Sequence, residues 1–428
     1  MLTLSGAEAI LVDAATVRTG DLHLAGGVVV DGTGAAPERI DATGCVITAG
    51  LVNAHHHLLQ SAFRTLPGTR SVPMSAWLPT MAAAYAAAGI DPGLTSVAAR
   101  VGLAEGLLAG VTTVADHHLT WPSGADTVGI AKAVTDAAAS LGARIAFVRG
   151  SARDDPEEAA ASADAIAQAL PLGPGGVSRD GMLQLAVGPA GVHSDSEATF
   201  RLLGEVAARH DLRRRTQSNE QVDVAVALER YGRRPLELLE EWGWLAPDVT
   251  LAHLCDATDD EIARLAASGV TATHAPGCDV MMGWGVAPVA ALRDAGVIVG
   301  LGTSGGGSND AGHLLADARL AMQVSGLRGP ALVAQDVLGM ATEGSALGLG
   351  RPELGHLRPG AAADVCVWDV AGVADAGVAD PVAGLLWASP GRRPRHVIVA
   401  GRVVVRDYAL VTADERDLVR DLHARVGR

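Results

Sequence analysis

The sequence predicts an α/β protein, a distorted (β/α)8 TIM barrel with a small β-sandwich domain formed by both chain ends. Three observations predict it. From about residue 52 to about residue 350, short apolar runs alternate with longer helical patterns, the mark of a parallel sheet, and a closed eight-fold barrel matches that length. Both ends instead read as short strands separated by turns. A chain of 428 residues exceeds one average domain and accommodates a barrel with an appended unit. The expected organisation is residues 1–50 as the first part of the sandwich, 51–354 as the barrel, and 355–428 as the second part with a C-terminal helix.

Each element follows from local pattern. Ala9 to Val12, His23 to Val30 and Cys45 to Ile47 are β-rich pieces broken by Gly and Asp. Barrel strands are expected at Thr112 to Ala115, Ile145 to Val148, Leu183 to Val187, Arg213 to Gln217, Thr250 to His253, Thr271 to His274 and Val297 to Gly302. Helical periodicity marks Leu94 to Ala109, Glu197 to Arg209, Asp259 to Ser268 and Gln335 to Ala346. Ala363 to Trp368 and His396 to Val405, turning at Ala400-Gly401-Arg402, return to β, and Ala413 to Val426 reads as an amphipathic charged helix.

Composition excludes several function classes. Thirty-three basic against 48 acidic residues give a formal charge of -15, a field that opposes a polyanionic partner, so no nucleic acid is expected. Although 49% of the chain is hydrophobic, no uninterrupted apolar stretch approaches the roughly 20 residues of a membrane span. Met1 to Asp13 contains acids and no basic leader region, so the expected compartment is the cytoplasm. Four scattered cysteines without a CxxC pair fit reduced, buried thiols. Lys132 is the one lysine, in a helical stretch from Gly129 to Ser140, a poor place for a metal-bridging carboxylated lysine.

In a barrel of this kind the active site lies at the C-terminal ends of the strands, so the polar residues that end each apolar run are the candidates. His55 and His57 stand two apart on a predicted strand, which puts both on one face and His56 on the other. Two inward imidazoles at a strand end are half of a metal site. His253 and His274 each end a later apolar run. Period two also aims Arg215 the same way as Gln217, either deep in the barrel, where it would oppose a bound dication, or in an ion pair with a neighbouring acid.

The collinear order of Asn53-Ala54-His55-His56-His57, Gly110 to Asp116, His253, His274 and Leu301-Gly302-Thr303-Ser304 resembles the amidohydrolase superfamily. Within it the chain is similar to the aminoheterocycle deaminases, in particular the 8-oxoguanine and isoxanthopterin deaminase branch. Asp116-His117-His118, Arg149-Gly150-Ser151, Gly307-Ser308-Asn309-Asp310 and the tail from Gly355 to Asp364 extend the likeness over essentially the whole chain.

The resemblance implies metal-assisted addition of water to an aromatic C–NH2 carbon of a small guanine- or pterin-like heterocycle, with one divalent metal, zinc by family habit. His55, His57 and His253 match metal ligands. Glu220 matches the glutamate that carries a proton to the ring nitrogen, and His274 the histidine that polarises the water. Gln60 and Trp77 match residues lining the heterocycle pocket. Arg149 and His118 are candidates for a ring carbonyl, Arg215 for a further substrate contact, and Trp121, Trp284 and His193 for the pocket wall. The family's habit of forming dimers or larger assemblies implies a homo-oligomer.

Two positions depart from the pattern. Gln217 stands where the third histidine ligand belongs, and Ser304 where an aspartate would both bind metal and accept the water's proton. Three readings stay open: a deaminase in which three histidines still hold a metal, with Gln217 a doubtful fourth ligand; a metal-independent acid–base enzyme catalysing elimination, isomerisation or rearrangement of a heterocycle; and a catalytically dead binding protein.

Overall fold

The computed structural model describes residues 1–32 and 37–427; within the expected organisation, positions 33–36 and 428 lie outside the described residues. Its central feature is a ring of parallel strands: Leu51–His57, Val111–His118, Arg144–Ser151, Leu183–Pro189, Arg213–Ser218, Val249–His253, Thr271–His274 and Val299–Leu301, each hydrogen-bonded to the next. A short piece, Ser304–Gly305, continues the last strand after a break at Gly302-Thr303 and pairs with His56 and His57. The last strand thus uses its first half to bond its predecessor and its second half to close the barrel. Counting its two pieces as one gives the (β/α)8 barrel that the alternation predicts.

The helices start and stop where their sequence dictates. Asp259–Ser268 begins at Thr258, whose hydroxyl accepts from the Glu261 amide while the Glu261 carboxylate accepts from the Thr258 amide, and it ends at Gly269 in the left-handed region. Pro92–Leu108 is capped by Asp91, which accepts from the Leu94 amide at 2.7 Å. The helix expected from Gln335 to Ala346 is interrupted: Met340–Gly344 forms a π-helical turn between Ala334–Gly339 and Ser345–Gly348. That turn lies against the last barrel strand, and the Ser345 hydroxyl accepts from the Leu301 amide at 2.9 Å.

Strands from both chain ends form one hydrogen-bonded sheet beside the barrel. Cys45–Ala49 pairs with Leu2–Asp13 on one side and Val365–Asp369 on the other. It encloses its own core, including Leu4, Ile10, Leu22, Ile47, Val365 and Val367. Two contacts lock it to the barrel. Trp368 packs so closely on Gly110 that a Cβ there would lie 2.7 Å from the indole. Arg144, at the base of a barrel strand, donates to both oxygens of Asp364 at 2.7 and 3.0 Å, and both side chains are buried. Asp364 also accepts from the Ala400 amide at 2.8 Å.

Breaking a buried, bidentate pair leaves an uncompensated charge, which costs about 3–5 kcal/mol. Asp364→Asn should therefore lower the denaturation midpoint by an amount equivalent to a few kcal/mol, with the far-ultraviolet circular dichroism of the folded state unchanged. A loss below about 1 kcal/mol would put the pair in the class of exposed salt bridges.

Candidate functional site

The strand ends expected to carry chemistry do converge. His55 and His57 share one face of the first barrel strand, with ring centroids 4.9 Å apart, and His55 lies 5.2 Å from the ring of His253. His56 turns the other way, as period two requires, and donates from Nδ1 to the Ser304 carbonyl at 2.5 Å, with the Thr303 hydroxyl at 2.8 Å. His57 donates from Nδ1 to the His117 carbonyl at 2.7 Å, which leaves its Nε2 free. His55 Nε2 is buried without a partner. Burial keeps both imidazoles neutral, pulling His55 well below the usual range and His57 down to about 4.

The far side of the site is organised by a carboxylate that the sequence reading did not single out. Asp279 lies in the first turn of the helix Pro276–Met281, immediately after the strand bearing His274. One oxygen accepts from His253 Nδ1 at 2.6 Å, and the other faces His274 Nδ1 at 3.3 Å. On its other edge, His253 presents Nε2 to the side-chain oxygen of Gln217 at 3.0 Å, with Glu220 Oε1 at 3.7 Å. Burial alone would discharge His253, but the Asp279 carboxylate outweighs it and raises the imidazole above its ordinary range. Burial likewise pushes Asp279 up, and the two histidines overcome it, holding the carboxyl at about 2. An acid five residues beyond a strand-end histidine, at a helix start, was the available signal for Asp279.

Glu220 caps the helix Gln221–Tyr231, and both of its oxygens are buried and unpartnered. Burial raises its carboxyl, against the pull of His253 and His193. His193 is fixed by Asp223, which accepts from its amide at 3.0 Å and meets its Nδ1 at 3.2 Å. Burial lowers His193, but the Asp223 hydrogen bond leaves it above its ordinary value.

A cavity of about 550 Å³ opens beside these strand ends; His57, His193 and Gln217 line it, whereas His55, Glu220, His253 and His274 are buried next to it without lining it. His57, Gln60, Trp77, His118, Trp121, His193, Gln217, Trp284 and Ser304 all contribute to its wall. Gln60 and Trp77 also shape the loop after Ser304: the Gly307 amide donates to Gln60 Oε1 at 2.9 Å, and Trp77 Nε1 donates to the Gly307 carbonyl at 3.0 Å. A Cβ at Gly305 would fall 1.9 Å from Gln60 Oε1, so a side chain there would push the Gln60 amide off the Gly307 amide it accepts from. Ser304 itself adopts φ 54°, and its hydroxyl, with that of Ser308, faces the Cys278 thiol.

Two expected substrate contacts are corrected. Arg149 does not reach the cavity: its guanidinium donates to Asp154, Ser162 and the Gly150 carbonyl at 2.8–2.9 Å and stacks on Trp121 at 4.8 Å. Arg215 does not line the cavity either, and it does not form the ion pair considered for it. It is buried, donates to the Ala54 carbonyl just ahead of His55, and among the described residues meets no carboxylate within ion-pair distance. Burial, with Arg213 adding to it, pulls its pKa down to about 9, which still leaves the guanidinium charged at neutral pH.

These residues do not fit a divalent ion. Zinc–nitrogen bonds of about 2.0–2.1 Å put neighbouring ligand atoms roughly 3.3 Å apart. Among the described residues, the one set of three His, Cys, Asp or Glu donors lying within 4.8 Å of one another is His253, Cys278 and Asp279; His55 and His57 do not join His253 in such a set. That trio is already engaged internally, since Asp279 accepts a hydrogen bond from His253 Nδ1 and burial keeps the Cys278 thiol protonated. The bare Nε2 of His55 is buried without a partner and invites a metal, and the Arg215 charge nearby opposes one.

Comparison with known proteins gives a consistent picture. A model of the amidohydrolase family matches residues 46–404. An 8-oxoguanine deaminase from Pseudomonas aeruginosa is 34% identical, with 93% of each chain covered. An isoxanthopterin deaminase from an unknown prokaryotic organism is 30% identical over 97% of this chain and 93% of its own. The solved atrazine chlorohydrolase from Arthrobacter aurescens, complexed with zinc, superposes over the full length of both chains with a TM-score of 0.92 and 34% identity. Among the described residues, no helix is long and apolar enough to cross a membrane.

Asp116 yields a pH prediction. Its Oδ1 accepts from the Leu58 amide at 2.8 Å, its Oδ2 is unpartnered, and burial raises the carboxyl to about 7. A folded-state pKa above the unfolded value means that the stability from this group is complete below about pH 4 and is lost as pH rises through 7. Unfolding curves between pH 5 and 8 should therefore flatten in Asp116→Asn, by an amount on the order of a few kcal/mol at most. Parallel curves for both proteins would show that Asp116 is ionised throughout.

Proposed function

The chain belongs to the amidohydrolase family, and from that premise we propose that it is a deaminase-like hydrolase that replaces the exocyclic amino group of a guanine- or pterin-like heterocycle with oxygen. The observation that carries this reading is Glu220, a buried carboxyl with two unpartnered oxygens beside Gln217 and His253. Burial favours the protonated form of this carboxyl, and a protonated acid placed there can deliver its proton to an acceptor. The cavity suits a neutral ring: Trp77, Trp121 and Trp284 offer apolar surface, while Gln60, Gln217 and Ser304 offer hydrogen bonds.

In the proposed reaction, water adds to the ring carbon that bears the amino group. Glu220 gives its proton to the adjacent ring nitrogen as the C–O bond forms. His274, oriented by Asp279 at 3.3 Å, takes the proton released by the water. The C–N bond then breaks: the amino group leaves as ammonia with a proton returned by His274, the new hydroxyl gives its proton back to the Glu220 carboxylate as the C=O bond forms, and the ring nitrogen keeps its new hydrogen in the oxo product. No step runs through a metal, because the donors present do not fit one. His57, His118 and His193 on the cavity wall are the proposed partners for ring nitrogens and carbonyls.

The unclosed histidine set also favours the second reading, acid–base rearrangement or elimination on the same kind of ring without water. An assay of amino-purines and amino-pterins for released ammonia, with mass analysis of the product, separates the two. Deamination exchanges nitrogen for oxygen, whereas isomerisation leaves the mass unchanged. Glu220→Gln removes the transferable proton at nearly constant shape and should reduce turnover about 10²–10⁴-fold with the fold intact. Full activity in that variant would remove Glu220 from the mechanism.

A further inference from the structure

Residues 215 and 217 share one barrel strand and residue 304 stands on the piece that closes the barrel, and together they set the charge of the site. Arg215 reaches from its strand to the Ala54 carbonyl, directly ahead of His55, and no carboxylate compensates it among the described residues. Gln217 gives His253 Nε2 an acceptor at 3.0 Å, while Asp279 takes Nδ1 at 2.6 Å. An imidazole that donates from both nitrogens has no lone pair left for a metal. Ser304 supplies neither a negative charge nor a strong ligand, and its hydroxyl faces the Cys278 thiol.

We infer that Arg215 serves as the fixed internal cation of this site and that the protein works without a resident divalent ion. The inference rests on the functional reading above for the class of substrate, and on geometry alone for the absence of metal binding. A buried guanidinium repels a dication placed among His55, His57 and His253, since like charges interact strongly where water does not screen them. The same charge can stabilise electron density that develops on a ring under attack, without lining the cavity. Arg215 is therefore a positioning residue that sets the field, and Arg215, Gln217 and Ser304 act as one unit.

The test is zinc uptake by the intact protein, read by elemental mass spectrometry after dialysis against zinc and then against buffer, and by thermal shift. Wild type is expected to retain no stoichiometric zinc and to show no zinc-dependent rise in Tm. Gln217→His combined with Ser304→Asp restores ligand types but keeps the cation, and adding Arg215→Met removes it. The triple variant is expected to hold about one zinc per chain, at least roughly tenfold more tightly than the double variant.

Equal zinc affinity in the double and triple variants would overturn the role of Arg215. About one zinc retained by wild type, and lost in His55→Ala, would overturn the inference outright. If the variants fail to fold, the two wild-type measurements decide it alone. A wild-type protein that binds no zinc and releases no ammonia supports this inference while removing the aminohydrolase reading.

Discussion

The contact between His253 and Asp279 governs how the rest of the site can behave. At 2.6 Å and fully buried, it commits His253 Nδ1 to donation and fixes the ring plane. A carboxylate hydrogen-bonded to the far nitrogen of a metal-bound histidine commonly orients it in this way, leaving the opposite nitrogen bare for the ion. Here the opposite nitrogen meets the Gln217 oxygen at 3.0 Å. The histidine is thus held between two acceptors, and the Asp279 carboxylate, with Glu220 adding to it, outweighs burial and raises its affinity for a proton. Asp279 also approaches His274 Nδ1 at 3.3 Å, so one carboxylate lies against both strand-end histidines on this side of the barrel.

The barrel supports such a change because the strands that carry it are fixed independently of it. The last strand closes the ring through Ser304–Gly305 against His56 and His57, a register set by the backbone whatever side chain residue 304 bears. Gly305 lies against Gln60, and the Gly307 backbone is held by Gln60 and Trp77. Arg215 sits on a strand paired along its length with Val249–His253, so its side chain is directed inward by the pleat. Within that scaffold, the dication and carboxylate of the family pattern and the guanidinium and hydroxyl found here carry the same formal charge. Substitution can then preserve the field while removing the ion.

Much of the fold was legible because it rests on periodicity. Thr271–His274 and Asp259–Ser268 match their expected bounds, and the strands around Thr112 and Ile145 extend a few residues beyond the apolar runs that announced them. Those extensions carry the polar residues of the site, which hydrophobicity alone does not mark. The π-helical turn at Met340–Gly344 was not legible, since its cause is packing against the last barrel strand rather than any local residue.

At the site, alternation placed His55 and His57 together and His56 apart, and it aimed Arg215 inward. It did not reveal that Arg149 is consumed by Asp154 and Ser162, because partners five and thirteen residues away depend on how the intervening loop folds. Asp279 and the His193–Asp223 pair were likewise hidden. Their meaning comes from contacts of a strand end and a loop with helices that neighbour them only in the folded chain.

The central claim, that this site has exchanged an ion for a fixed charge, is tested most directly by anomalous scattering from crystals grown with excess zinc. Data collected on either side of the zinc absorption edge locate any bound ion without reference to activity. The account predicts no anomalous peak among His55, His57 and His253, with ordinary density for Gln217 against His253. A strong peak bonded to those three imidazoles would contradict it.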